Sequence, residues 1–225
     1  MYLINNPLKN IKTITLLLIC FLTFNVFANK ADELLSITKS AEQGDALAQY
    51  NMGVSYFFGN GVSQDYKQAI DWFLKATEQN NPEAEAFLGE MYDTGRGVLE
   101  NDKKAAKWYL RAAEHGNAAS QNMTGDIYSM ADDFQQAARW YLKAAEQGNT
   151  KAQYSLGKLY RYGLGVIQSN KQYYIWSSIA AANGDEYRSR FALRSRDQAA
   201  KFLSPRGLEE AQEEAVKLNE KIYNK

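Results

Sequence analysis

Apolar and small residues recur along residues 41–191 at helical spacing, in two alternating registers. Ala48, Met52 and Tyr56 are four apart and share one face of a helix. Ala69, Trp72, Phe73 and Ala76, three and four apart, mark a second helix. Between them lies Gly59-Asn60-Gly61-Val62, whose paired glycines predict a turn with positive φ. The same helix–turn–helix pattern returns along the chain. Ala41-Glu42-Gln43-Gly44 aligns with Thr77-Glu78-Gln79-Asn80, Ala113-Glu114-His115-Gly116 and Ala145-Glu146-Gln147-Gly148, at offsets of 36, 36 and 32 residues. A partial copy starts at Ala181-Ala182-Asn183-Gly184.

Three columns carry the repeat: Gly53, Gly89, Gly125 and Gly157; Tyr56, Tyr92, Tyr128 and Tyr160; Trp72, Trp108, Trp140 and Trp176. A glycine inside a helix costs about 1 kcal/mol of propensity. The expected compensation is close approach of a neighbouring helix. Large residues then face small ones across the contact, as interlocking helices require.

These columns resemble the Sel1-like repeat family, relatives of tetratricopeptide repeats. The likeness rests on Ala48, Gly53, Tyr56, the glycine turn, Asp65, Lys67, Ala69, Trp72 and Phe73, and on their counterparts in the second and fourth copies. It implies an all-α, right-handed α-solenoid of Sel1-like helix-turn-helix repeats with a C-terminal capping helix. The repeats are expected at 41–76, 77–112, 113–144 and 145–180, with 29–40 as a lead-in and 181–225 as a partial repeat and cap. The third copy lacks four residues where its glycine turn belongs. It looks like a tetratricopeptide unit with a tight turn near Met130–Asp133. In the fourth, Tyr173 stands in the small-residue column of Ala69 and Ala105, which predicts a locally splayed or re-seated second helix. Ser204-Pro205 predicts a helix start, and Leu208, Ala211, Ala215, Leu218 and Ile222 form the apolar stripe of the cap.

Residues 1–28 differ in kind. Lys9 and Lys12 precede an apolar run from Ile14 to Phe27, no acid occurs before Asp32, and Val26-Phe27-Ala28 suits cleavage. This pattern predicts a secretory signal peptide and a periplasmic or secreted chain. Ile19 before Cys20 disfavours lipidation. Cleavage after Ala28 would leave no cysteine, so apolar packing alone would hold the fold.

Charge and composition narrow the chemistry. With 26 basic and 26 acidic residues, the chain is not a polybasic nucleic-acid binder. One cysteine excludes internal disulfides and thiolate-rich metal sites. The single histidine, His115, stands in a column of glutamines, reads as a surface side chain and lacks a second ligand for a metal. No glycine-flanked nucleophilic serine occurs. The residues therefore predict no catalysis, no metal and no cofactor. Some exported Sel1-like proteins resemble a cysteine-rich β-lactamase group, but the cysteine pairs of that group are missing here.

Binding is the expectation that remains. In tetratricopeptide superhelices the first helix of each unit lines a concave groove. By position, that resemblance assigns Tyr50, Val54, Phe57 and Phe58 in the first copy, Glu90 and Asp93 in the second, Asp126 in the third, and Tyr154, Lys158, Arg161 and Tyr162 in the fourth. Leu47, Asn122, Met130 and Lys151 lie in the same lining. The groove would run from aromatic through acidic to basic, which favours an oriented protein partner. The resemblance implies a scaffold or regulator of envelope complexes, or an immunity protein against a lipase effector of type VI secretion. Arg188, Arg190, Arg194 and Arg196 form a separate cluster, expected to pair with the glutamates of the tail or else to face an anionic partner.

Overall fold

The computed structural model describes residues 32–224; the signal-peptide expectation for residues 1–28 lies outside them. The described residues contain eleven helices and no strand. They fall into two compact units, the first ending at Gln79 and the second beginning at Asn80.

The first unit holds α1 (32–42), α2 (Ala46–Phe58) and α3 (Tyr66–Thr77). The lead-in is thus helical. Leu34, Ile37 and Ala41 of α1 pack with Ala48, Met52, Tyr56 and Trp72, the contact a preceding second helix would make. The second unit holds α4 (Pro82–Thr94), α5 (Asp102–Glu114), α6 (Ala118–Met130), α7 (Phe134–Glu146), α8 (Thr150–Tyr162), α9 (Asn170–Asn183), α10 (Glu186–Ala200) and α11 (Pro205–Tyr223). Its hairpins are α4–α5, α6–α7 and α8–α9. α5 packs on α6 and α7 on α8, while α9 carries both α10 and α11.

Side-chain caps set the helix starts. Asp45, Asn81, Asn117 and Asn149 accept the backbone N–H three residues on, at 2.7, 2.8, 2.8 and 3.0 Å, opening α2, α4, α6 and α8. The predicted glycine turns form as expected: Gly59, Gly61, Gly95, Gly97, Gly163 and Gly165 all have positive φ. Each hairpin is closed by the residue before its second helix. Asp65, Asn101 and Ser169 donate their N–H to the carbonyls of Tyr56, Tyr92 and Tyr160 at 2.9, 2.8 and 3.0 Å. In the short third copy Asp133 makes the same bond to Tyr128 at 3.0 Å, with Asp132 at φ 57° completing the tight turn.

The glycine column is a close-approach column. A Cβ on Gly53, Gly89 or Gly125 would lie 2.5, 2.6 or 2.6 Å from the ring of Phe73, Tyr109 or Tyr141. Gly157 differs: Ser177 replaces the ring, and the nearest atoms are 3.4–3.7 Å away. Tyr173, one turn earlier, is buried beside it, so large and small residues have exchanged places along this helix. Trp140 and Trp176 are buried, and Trp72 and Trp108 half-buried, with Lys75 and Arg111 over their rings at 3.8 and 5.4 Å. The cap starts at Ser204, whose Oγ accepts the Gly207 N–H at 3.1 Å, and its predicted stripe packs on the core.

Candidate functional site

The first helices of the hairpins carry the expected lining residues, and each unit presents its own set. In the first unit Phe58 is 56% exposed, and Tyr50 and Val54 are half-buried. Phe57 departs from the expectation: it is 3% exposed and packs edge-on against Tyr66 at 5.4 Å inside the α2–α3 hairpin. It sits three residues from Val54 yet on the α3 side of α2, so its ring serves the core.

In the second unit Glu90 is tied to Arg96 at 2.9 Å, whereas Asp93 is exposed. Asp126 is held from two sides. Its Oδ1 accepts the Tyr141 hydroxyl at 2.6 Å and its Oδ2 accepts the Asn122 amide at 3.1 Å. No cation pairs with it among the described residues. On α8, Lys158 is exposed with its ammonium 5.9 Å from the Tyr154 ring, and Arg161 lies 4.8 Å over the exposed Tyr162 ring.

Two open cavities meet at Asp126 and Ser155. The larger, about 960 Å³, brings Asp93, Asp126 and Lys158 together with Met130 and Tyr109. The smaller, about 390 Å³, brings Asp126 and Tyr154 together with Asn122, Lys151, Tyr187, Arg188 and Phe191. Glu90, Arg161 and Tyr162 line neither. Burial first, then the charges of Asp93 and Glu90, push the Tyr109 phenol well above its ordinary pKa. Burial, then the bond and charge of Asp126, do the same for Tyr141.

Tyr187 and Phe191 on α10 were not legible as lining residues, because that helix lies past the last full copy. Arg188 stood out only as part of a charged cluster. That cluster does not reach the tail. Arg188 pairs with Asp185 at 2.6 Å, Arg190 with Glu186 at 3.6 Å and Arg196 with Asp197 at 2.7 Å, since acids on or beside the same helix are nearer. Lys171 takes Glu214 of the tail at 2.8 Å.

His115 is more than a surface side chain. Its Nδ1 lies 2.7 Å from Oε2 of Glu85, a fully buried carboxylate whose Oε1 meets Arg111 at 2.6 Å. The neighbouring copies use neutral partners at these positions: Gln79 donates to Gln49 at 3.0 Å and Gln147 to Gln121 at 2.8 Å. In the last copy Gln153 donates to the Tyr223 hydroxyl of the cap at 3.2 Å. The histidine is a structural clasp. No group of three or more His, Cys, Asp or Glu suited to a metal occurs among the described residues, and no helix there is long and apolar enough to cross a membrane.

A profile described as Sel1 repeat matches residues 46–81, 82–117, 118–149 and 150–185. No curated protein matches the chain. Among solved structures, a Sel1 repeat protein from Oxalobacter formigenes is 34% identical with a TM-score of 0.69, over 73% of this chain and 49% of that one. A protective antigen of uropathogenic Escherichia coli displaying an SLR fold is 28% identical with a TM-score of 0.44, over 87% of this chain and 58% of that one. An immunity protein from Pseudomonas aeruginosa is 18% identical with a TM-score of 0.34, over 74% of this chain and 73% of that one. The chain thus spans about half the length of the first two structures it matches. Four repeats and no strand among the described residues agree with an α-solenoid.

Proposed function

The chain belongs to the Sel1 repeat family, and from that premise we propose that it is an exported, non-catalytic module that captures a protein partner. Export is read from the basic and apolar character of residues 1–28. The partner binds along the first-helix face of α6 and α8. The observation that carries this reading is Asp126, a carboxylate fixed by Tyr141 and Asn122 where two open cavities meet, with no cation of its own among the described residues. A preformed charged recess with aromatic walls suits a side chain delivered by another macromolecule.

The test is cross-linking in the envelope fraction, with a photoreactive residue at Ser155 and a control at the exposed turn residue Leu99. A stoichiometric protein adduct from position 155 that is missing from position 99 is expected, and its mass identifies the partner. Equal labelling from both positions, or none from position 155, would refute the proposal.

A further inference from the structure

We propose that the 390 Å³ pocket between α6, α8 and α10 receives an arginine side chain of the bound protein, with an acidic residue next to that arginine. The inference rests on the interaction reading above and names the chemistry of the contact. Asn122 is 4% exposed, and after its amide N–H is given to Asp126 its Oδ1 has no hydrogen-bond partner. That oxygen is itself closed to solvent, so what Asn122 contributes to the pocket is its hold on Asp126. Asp126, beside it on the same helix face, calls for a cation. Both line one pocket, whose other walls include the rings of Tyr154, Tyr187 and Phe191. Tyr187 and Phe191 stand edge to face at 4.9 Å.

A guanidinium answers both the carboxylate and the rings. It presents paired N–H donors in one plane to a carboxylate, and its faces stack on aromatic rings. An ammonium is a compact point charge that does not present a flat face. The pocket's own cations explain the acidic neighbour. Arg188 is occupied by Asp185, but Lys151 has no ion pair among the described residues and offers its charge to a carboxylate beside the arginine.

The full chain, ¹⁵N-labelled, is titrated with the tetrapeptide acetyl-Ala-Arg-Glu-Ala-amide and with the same peptide carrying citrulline, which keeps the shape and loses the charge. Saturable shifts at Asn122, Ser155 and Phe191 are expected, with affinity at least about tenfold lower for citrulline. Asp126→Asn, which still accepts the Tyr141 hydroxyl, should lose a similar factor with an unchanged far-UV spectrum. Tyr187→Ala removes a ring that is 70% exposed and so leaves the fold intact; it should weaken binding about threefold. Equal binding of the citrulline peptide, unchanged binding by Asp126→Asn or Tyr187→Ala, or no saturable binding of the arginine peptide overturns the inference. A protein adduct from position 155 that persists in Asp126→Asn would remove the arginine and leave the interaction module standing. Absence of any adduct would remove the module, while the tetrapeptide still judges the pocket.

Discussion

Replacing Arg111 by Met tests the charged clasp of the second repeat. Glu85 is fully buried and its two oxygens meet Arg111 at 2.6 Å and His115 at 2.7 Å. Breaking a buried pair by removing one partner costs about 3–5 kcal/mol, because a charge is left stranded. Two features lower that figure. The Arg111 side chain is 41% exposed, so its attraction is screened, and His115 stays on the second oxygen. The expected loss is about 2–3 kcal/mol, or roughly 4–12 °C in Tm for a chain of this size. Arg111 also touches Asn80 at 3.4 Å and lies over Trp108, so the single variant does not isolate the pair. The cycle with Glu85→Gln does. Glutamine has no charge to strand, so Arg111→Met in that background should cost about 1 kcal/mol or less, a coupling of at least about 1 kcal/mol. The double variant Glu85→Gln/His115→Gln rebuilds the neutral pair seen at Gln49–Gln79 and Gln121–Gln147 and should fall within about 1 kcal/mol of the parent. Thermal and urea melts followed by far-UV dichroism supply the numbers. A coupling indistinguishable from zero would refute the claim that Glu85 depends on the charge of Arg111.

Gly125→Ala places a Cβ 2.6 Å from the Tyr141 ring and should cost about 1–3 kcal/mol in a urea melt, whereas Gly157→Ala meets only ordinary contacts and should be neutral or gain up to about 1 kcal/mol of helix propensity. Absorbance at alkaline pH should show Tyr109 and Tyr141 ionising above the ordinary tyrosine range. The folded chain keeps both phenols protonated to higher pH than the unfolded chain does. Their stabilisation is therefore complete below the ordinary tyrosine value of about 10 and is lost as pH rises through the raised ones, so urea midpoints should fall above about pH 10. Tyr223→Phe removes the hydroxyl that donates to the Gly148 carbonyl at 3.0 Å and accepts from Gln153, and should cost about 1–2 kcal/mol, with faster amide exchange in the last turns of α11. Gly165→Ala and Gly61→Ala share a left-handed penalty of about 1–2 kcal/mol, but the first also clashes with the Phe134 backbone while the second meets the Leu34 side chain at 3.3 Å, so the first should shift the melt well beyond the second.

The hairpins were legible because their determinants recur. A glycine facing a ring, a tyrosine whose carbonyl closes the turn, and an Asp or Asn cap each occupy the same column in several copies, so local pattern and tertiary contact agree. Phe57 misled because position along a helix does not fix on which side a ring is buried when the flanking helices are close on both. The clasp was hidden for another reason. His115 replaces a glutamine and Glu85 replaces a glutamine in a different column, 30 residues away, so neither change alone reports its partner. Tyr187, Phe191 and Tyr223 lie beyond the last full repeat, where no column exists to compare them with.

The one break in the period coincides with the candidate site, and the geometry explains how. The third hairpin keeps its closing bond, Asp133 N–H to Tyr128 carbonyl, but reaches it without the four-residue glycine turn. The vacated space is taken by the turn of the fourth repeat: Gly165 seats directly on the backbone of Phe134, and Leu164 and Val166 pack into the core. Without a turn of its own beyond it, α6 ends at Met130, which is 85% exposed and borders the 960 Å³ cavity with Ser129 and Ala131. Asp126 lies one helical turn back from that edge, facing the opening. The shortened repeat therefore meets the fourth through a contact that admits no side chain, and Asp126 opens onto the cavity that borders the end of α6.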